Sequence, residues 1–527
     1  MSRSAKVLAT LALLSGLTPV AQAAPACWQE FCGKYPPAPQ TGQWSSAHVS
    51  YDTAGRLKYA SDSARNRVPD FSYVGYHHGE KPLPAVPDVV TISPVSGDNT
   101  AHLQKALDQV GARTPDANGH RGAVKLAAGR YEIRGTVRIR HNGVVLRGSG
   151  DATTLFGRGD TPHQRTIVVL GSDARTPWTT GAATEVTTPF VQVGSLSLEV
   201  ANVTAFRVGQ EVVVRHPSSQ KWIDAVGGGG VVQDARWTPG SMDLRWVRWI
   251  RAIDGRRLTF DAPIYNHLDR SLTTSTVAPV TARNLVTESG VESLRVDIET
   301  KGGEDENHAW NAIGAFGADN SWVRSVKTRY FGYAGVVTER SVRITVQDAQ
   351  ATDPVAIRTG GRMYNFAANE NSHLILFTGL HTAKARHAFV SNGANSVAGV
   401  VWHRATVDGG DAEAHRRWSQ GLLFDNIREL SGGNQAKLIN RGDYGTSHGW
   451  GAAHSVIWDY NKEIVVQKPP TAQNYAVSDE GTRRSQAYFP GPWGSIEIKT
   501  GPLVPESLYE AQVVDRLGAG RVSATRG

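Results

Sequence analysis

The chain has 527 residues, 40% of them hydrophobic, 20% charged and 8% aromatic, enough apolar material for a large core, which excludes an intrinsically disordered protein. Past the N-terminus no run reaches the ~18 apolar residues of a membrane helix, and heptad and collagen repeats are absent, which excludes helical membrane spans and fibrous folds. The net charge of +8 fits either a polyanionic partner or a charge set for solubility, and no nucleic-acid-binding motif accompanies it.

Residues 1–23 read as a signal peptide, so a secreted or periplasmic location is expected. Arg3 and Lys6 precede the apolar run Val7 to Leu14, and Ala21-Gln22-Ala23 is a small-residue cleavage site. Cys27 and Cys32, the two cysteines, are expected to pair in an oxidising compartment. Residues 24–90, rich in Pro, Tyr and Ser, read as an arm packed on the main body.

From residue 91 the pattern changes. Asp98-Asn99-Thr100 caps a predicted helix with Leu103, Ala106, Leu107 and Val110 on one face. Short strands broken by Gly follow, such as Gly122 to Leu126 and Val144 to Arg147. Residues 195–265 interrupt them with a small β insertion, containing the strand Val208 to Val214, the glycine run Gly227 to Gly230 and a hairpin Ile253 to Phe260. Strands then recur near Leu294, Val323, Ile344, Leu376, Val400, Leu422, Leu438 and Ile457. One short strand every 20–30 residues suits a parallel β-solenoid. Asn320, Asn371, Asn395 and Asn426 fall near its turns, where Asn tolerates left-handed geometry. The solenoid is expected to end near 505, leaving a C-terminal tail, 506–527.

Asp98-Asn99-Thr100-Ala101, the helix to Val110, Gly122 to Arg130 and Val144 to Gly148 together resemble the start of the pectate-lyase-like, right-handed parallel β-helix superfamily. The resemblance implies an all-β fold, a right-handed parallel β-helix with an N-terminal capping helix. Relatives include polysaccharide lyases, glycoside hydrolases and phage tailspikes. The common pectate-lyase signatures are not evident, so the resemblance assigns no catalytic residue.

Candidate chemistry comes from the residues. Seven of the 17 histidines lie between 373 and 454. Asp408 to Trp418 and Asn440 to Trp450 are polar loops between apolar strands of adjacent coils, where strands stack about 4.8 Å apart. Together they can line one groove. His415, Arg417, Arg441 and His448 are the catalytic candidates: Arg441 to hold a substrate carboxylate, His448 to exchange a proton near neutral pH. Arg416, Trp418, Tyr444, Trp450, Trp402, His387 and His403 are the substrate-binding candidates, the tryptophans by stacking on sugar faces. Asp408, Asp411 and Glu413 could hold a cation, calcium being the candidate, and His387, His403 and His415 a transition metal. Asp408, Asp411, Glu413 and Asp443 could equally serve a hydrolase. The expectation is an exported, monomeric enzyme acting on an acidic polysaccharide, with β-elimination on a uronic-acid polymer preferred. A glycoside hydrolase or a non-catalytic glycan-binding protein on the same scaffold is the alternative.

Overall fold

A computed structural model of the chain describes residues 41–522, apart from 161, 164, 229–236, 394 and 395. The expected signal peptide, Cys27, Cys32, Gly229, Gly230 and Asn395 lie outside the described residues.

From Asp88 onward, apart from an antiparallel insertion, the strands pair in parallel with their counterparts one coil away. One inward row shows the register. It passes through Val90, Val124, Leu146, Val291, Val323, Val346, Phe377, Trp402, Phe424, Ile457, Ala476 and Ile496. A second row, on the opposing ten-stranded sheet, runs through Val168, Ile313, Val336, Phe366, Phe389, Ala412, Ala436 and Ile464. The two rows meet in one continuous apolar core inside the coils. This is the expected right-handed parallel β-helix. Helix Thr100–Gly111 closes its N-terminal end, burying Leu103, Ala106, Leu107 and Val110 in the same core.

Each coil turns its corners with single left-handed residues, stacked in two columns. One column holds Ser293, Ser325, Asp348, Gly379, Arg404, Asn426 and Asp459; the other holds Glu288, Asn320, Arg343, Leu374, Gly399, Gly421 and His454. Asn320, Asn371 and Asn426 all have positive φ, as the sequence predicts. Ser325 is exposed, so its corner is a clean test of backbone strain. Ser325→Val should cost about 1–2 kcal/mol in denaturant unfolding, while Ser325→Gly should be close to neutral. Equal effects of the two would discount the strain.

The insertion is larger than 195–265. Its seven antiparallel strands run from Trp178–Thr180 to Thr276–Arg283. The expected hairpin is present, with Leu244–Asp254 against Arg257–Phe260. Within the expected C-terminal tail, 506–527, residues 508–517 form a helix. Ser507 caps helix Leu508–Leu517, accepting from the Glu510 N–H at 3.1 Å, and Leu508, Tyr509 and Val513 are buried. The insertion, this helix and the arm residues Val49, Val68, Phe71 and Val74 cover outward solenoid side chains such as Leu376, Val401, Leu423 and Val456, which makes a second core outside the coils.

Candidate active site on the outer face of the solenoid

The opposing sheet also presents outward rows. One runs Tyr364, His387, Asp411; the next runs Val390, Glu413, Lys437. Alternation with inward Ala412 and Ala436 turns Asp411, Glu413 and Lys437 outward. Ring contacts with His415 and Tyr333 put Tyr364 and His387 on the same face, the register shifting between His387 and Phe389. His415, two residues beyond Glu413, and the Asn440–Trp450 loop complete the cluster. The rings of Trp310, Tyr333, Tyr364, His387, His415 and His448 succeed one another along it, with centroids 5.8, 5.2, 5.2, 5.1 and 4.9 Å apart.

Glu413 is the hub. Its carboxylate accepts from Arg441 and from His415 Nδ1 (2.7 Å), lies 3.7 Å from His387 Nε2, and is 3.4 Å from Lys437 Nζ. Burial would raise the Glu413 carboxyl, but His387, Arg441 and His415 hold it well below the ordinary carboxylate range. Lys437 also reaches Asp411, at 2.5 Å. Burial lowers His415 to about 4, the nearby Arg441 adding to it, so the ring is neutral.

The tautomer follows. An ionised carboxylate only accepts, so His415 Nδ1 carries the proton and Nε2 is a lone-pair acceptor. Tyr364 Oη lies 3.2 Å from that nitrogen and donates to it. The same phenol oxygen accepts from Arg386 Nη1 and from the Gly361 N–H, both at 3.0 Å. A carboxylate thus orients an imidazole whose free nitrogen faces a phenol, and two donors stabilise negative charge on that phenol.

Several expected residues meet here. His387, His415, Arg441 and His448 converge, and Tyr444 is 46% exposed at the edge, against Phe489. Arg416 Nε donates to Asn392 at 3.0 Å, and Arg417 donates to the Thr446 carbonyl and hydroxyl, both at 3.1 Å. Two roles change. Arg441 is buried against Glu413, so it does not hold a substrate carboxylate. Burial, with His415 and Arg441 alongside, takes His448 down to about 2, so its ring is neutral rather than half-protonated near neutral pH.

Other expected residues lie elsewhere. Trp402 is fully buried inside the coils, stacked between Phe377 (5.6 Å) and Phe424 (4.9 Å). Trp418 packs edge-on to Trp222 and Trp237 at the junction with the insertion and donates to Asn266; Trp450 is buried in the same outer core. None of the three can stack on a sugar. His403 bonds Thr378 beneath the C-terminal helix, 3.5 Å from Glu510. The calcium trio does not assemble, because Asp408 is exposed at the end of Ala398–Asp408 while Asp411 and Glu413 share Lys437. Among the described residues, the group whose ligand atoms all lie within 4.8 Å of one another is His387, Glu413 and His415. Two cations already face its carboxylate. Chelation with EDTA should therefore leave activity unchanged, and a loss restored by added metal would contradict this.

Tyr364, Arg386 and Lys437 were not singled out in the sequence. The signal is coil spacing, since Tyr364 precedes His387 by one coil in register.

No protein-family model matches the sequence, and no protein of curated function is similar to it in sequence. Solved structures do align. The Pseudomonas phage phi297 tailspike aligns over 73% of this chain and 62% of its own, at 12% identity and a TM-score of 0.40. This chain thus spans less than two thirds of that tailspike. The tailspike protein of Pseudomonas phage LKA1 aligns over 77% and 70%, at 13% and 0.37. An alginate lyase from Paenibacillus sp. aligns over 79% and 99%, at 9% and 0.33. The parallel β-helix is evident from the chain's own strand register. The likeness is one of coil architecture and assigns no residue of the site.

Proposed function

We propose that the chain is an exported polysaccharide lyase that cleaves a uronic-acid polymer by β-elimination. The observation that carries this is the Glu413–His415–Tyr364 chain with its Arg386 and Gly361 donors. Tyr364 is fully buried in this structure, so its oxygen meets the polymer only once the site opens. His415 Nε2 then takes the Tyr364 proton, and the phenolate, stabilised by Arg386, takes the proton at sugar C5. The C4–O4 bond breaks as the C4–C5 double bond forms, and the re-protonated phenol gives its proton to O4. Arg416, half-buried and anchored through Nε, is placed to hold the uronate carboxylate with its remaining N–H groups.

Hydrolysis requires a carboxylic acid that donates a proton. Glu413 is held ionised and Asp411 is tied to Lys437, so this cluster suits elimination better. The test is incubation of purified protein with alginate, pectate, glucuronan and glycosaminoglycans. Ultraviolet absorbance of an unsaturated product is expected with one of them. New reducing ends without that absorbance would mean hydrolysis, and saturable binding without cleavage would mean an adhesin.

A further inference from the structure

The insertion carries a feature that this reaction does not use. Its sheet aligns Arg215 with Arg245 as directly opposed cross-strand partners, with Thr276 beside Arg215 on the third strand. Like charges directly opposite each other on a sheet are destabilising. Both side chains are nearly half exposed, and both turn to one carboxylate, Asp243, at 2.5 and 3.5 Å. Exposed Arg175 adds a third guanidinium to the same cavity of about 320 Å³.

No Asp or Glu lines this cavity. Besides Asp243, Glu211 on that face is turned to Arg283 at 2.7 Å and accepts from Trp178 Nε1 at 3.1 Å. The floor is apolar, formed by Val213, Val247 and Ala278, one row beyond the arginines. Trp178 and Pro177 form an apolar wall, and Thr176, Thr180 and Asn371 place hydroxyl and amide groups around it.

The geometry points to a second ligand site, which binds an acidic sugar away from the reaction centre. Guanidinium pairs match planar carboxylates in two-point contacts, the apolar floor suits a pyranose face, and the hydroxyls and amide suit its OH groups. A cavity of this size lies at the lower end of small-ligand sites and holds one or two sugar rings. Asp243 balances one of the two opposed charges, and the bound carboxylate would balance the other. This site takes from the proposed function only its class of ligand, a uronate-bearing chain. Its role would be to tether the polymer on the insertion while the solenoid cleaves it.

The test uses full-length Tyr364→Phe protein, so that turnover does not consume the probe. Titration calorimetry with short oligouronates should show saturable binding. Arg215→Gln combined with Arg245→Gln should weaken it at least tenfold with no loss of thermal midpoint, and Arg175→Ala alone should weaken it less. Carboxyl-reduced oligomers should bind at least tenfold more weakly. Unchanged affinity in the double variant would overturn the site. Equal competition by inorganic sulfate would also overturn it, by reducing it to a general oxyanion patch. Absence of unsaturated product in wild-type digests, with binding intact, would remove the proposed reaction and leave this site standing.

Discussion

Tyr364→Phe should lower kcat by about 10²–10⁴-fold, the usual cost of losing one positioned acid or base. The phenol oxygen is the only atom removed, and the ring stays packed between Tyr333 and His387. KM should move little, while stability should fall by about 1–3 kcal/mol, because Arg386, the Gly361 N–H and His415 lose a buried partner. His415→Ala should cost a similar factor, because Tyr364 then has no acceptor for its proton. The double variant should be no worse than the poorer single one, since the two side chains act as a unit. While the protein stays folded, activity should not fall as pH drops below 6.5, because His415 gains a proton only near 4. Normal turnover by Tyr364→Phe, or a loss of activity near 6.5 without unfolding, would remove this pair from the mechanism.

The second large effect is on stability. Burial takes His216 and His267 to about 4 and His373 to about 3, beside His415 at about 4. His387 and His454 are also well below their ordinary value, and His448 is at about 2. The unfolded chain binds these protons from about pH 6.5 downward and the folded chain does not, so stability falls as pH drops from 6.5 towards 4. A histidine lowered to about 4 contributes about 3 kcal/mol over that window. Glu211 and Asp459, which burial raises to about 7, work in the opposite sense above their ordinary values. Among the described residues nine histidines are lowered, His48 and His381 included, against six raised acids, Asp70, Asp348, Asp425 and Glu429 included. Lowered carboxylates such as Glu288 and Asp319 act in the same sense as the histidines, which leaves the balance with them. Because a whole domain is stable by only about 5–15 kcal/mol, acid unfolding is expected between pH 4 and 6.5. Tryptophan fluorescence followed against pH tests this, and a flat signal from pH 7 to 4 would refute it.

The solenoid was legible because its signal is repetition. Short apolar strands at intervals of one coil and Asn at the corners survive without any knowledge of partners. The insertion was under-drawn because its outer strands, Trp178–Thr180 and Thr184–Glu185, are too short to show alternation. At the site, the histidine excess located His387, His415, Arg441 and His448. Tyr364 escaped because it comes from an earlier coil than either polar loop. The tryptophans misled for a physical reason: a β-helix wide enough to enclose Trp402 between two phenylalanines buries large rings within its strands. Sequence alone does not separate such a ring from one offered to a sugar.

The arm has a consequence for how the molecule comes apart. A repeat solenoid can lose its end coils one at a time, because each touches only its neighbours. Here residues 75–77 cross several coils like a clasp. Gly75 N–H donates to the Leu374 carbonyl, Tyr76 bonds Thr345 and Glu288, and His77 bonds Asn320 and Glu288. Further along, Arg56 pairs with Asp515 and the Phe71 N–H donates to Gln512 of the last helix. The Trp44 N–H donates to the Pro502 carbonyl and the Val504 N–H donates to the Trp44 carbonyl, so the arm closes on the segment before the last helix. Peeling from either end must first break this buckle. The solenoid should behave as a single all-or-none unit, resistant to trimming by exoproteases and to stepwise mechanical unravelling.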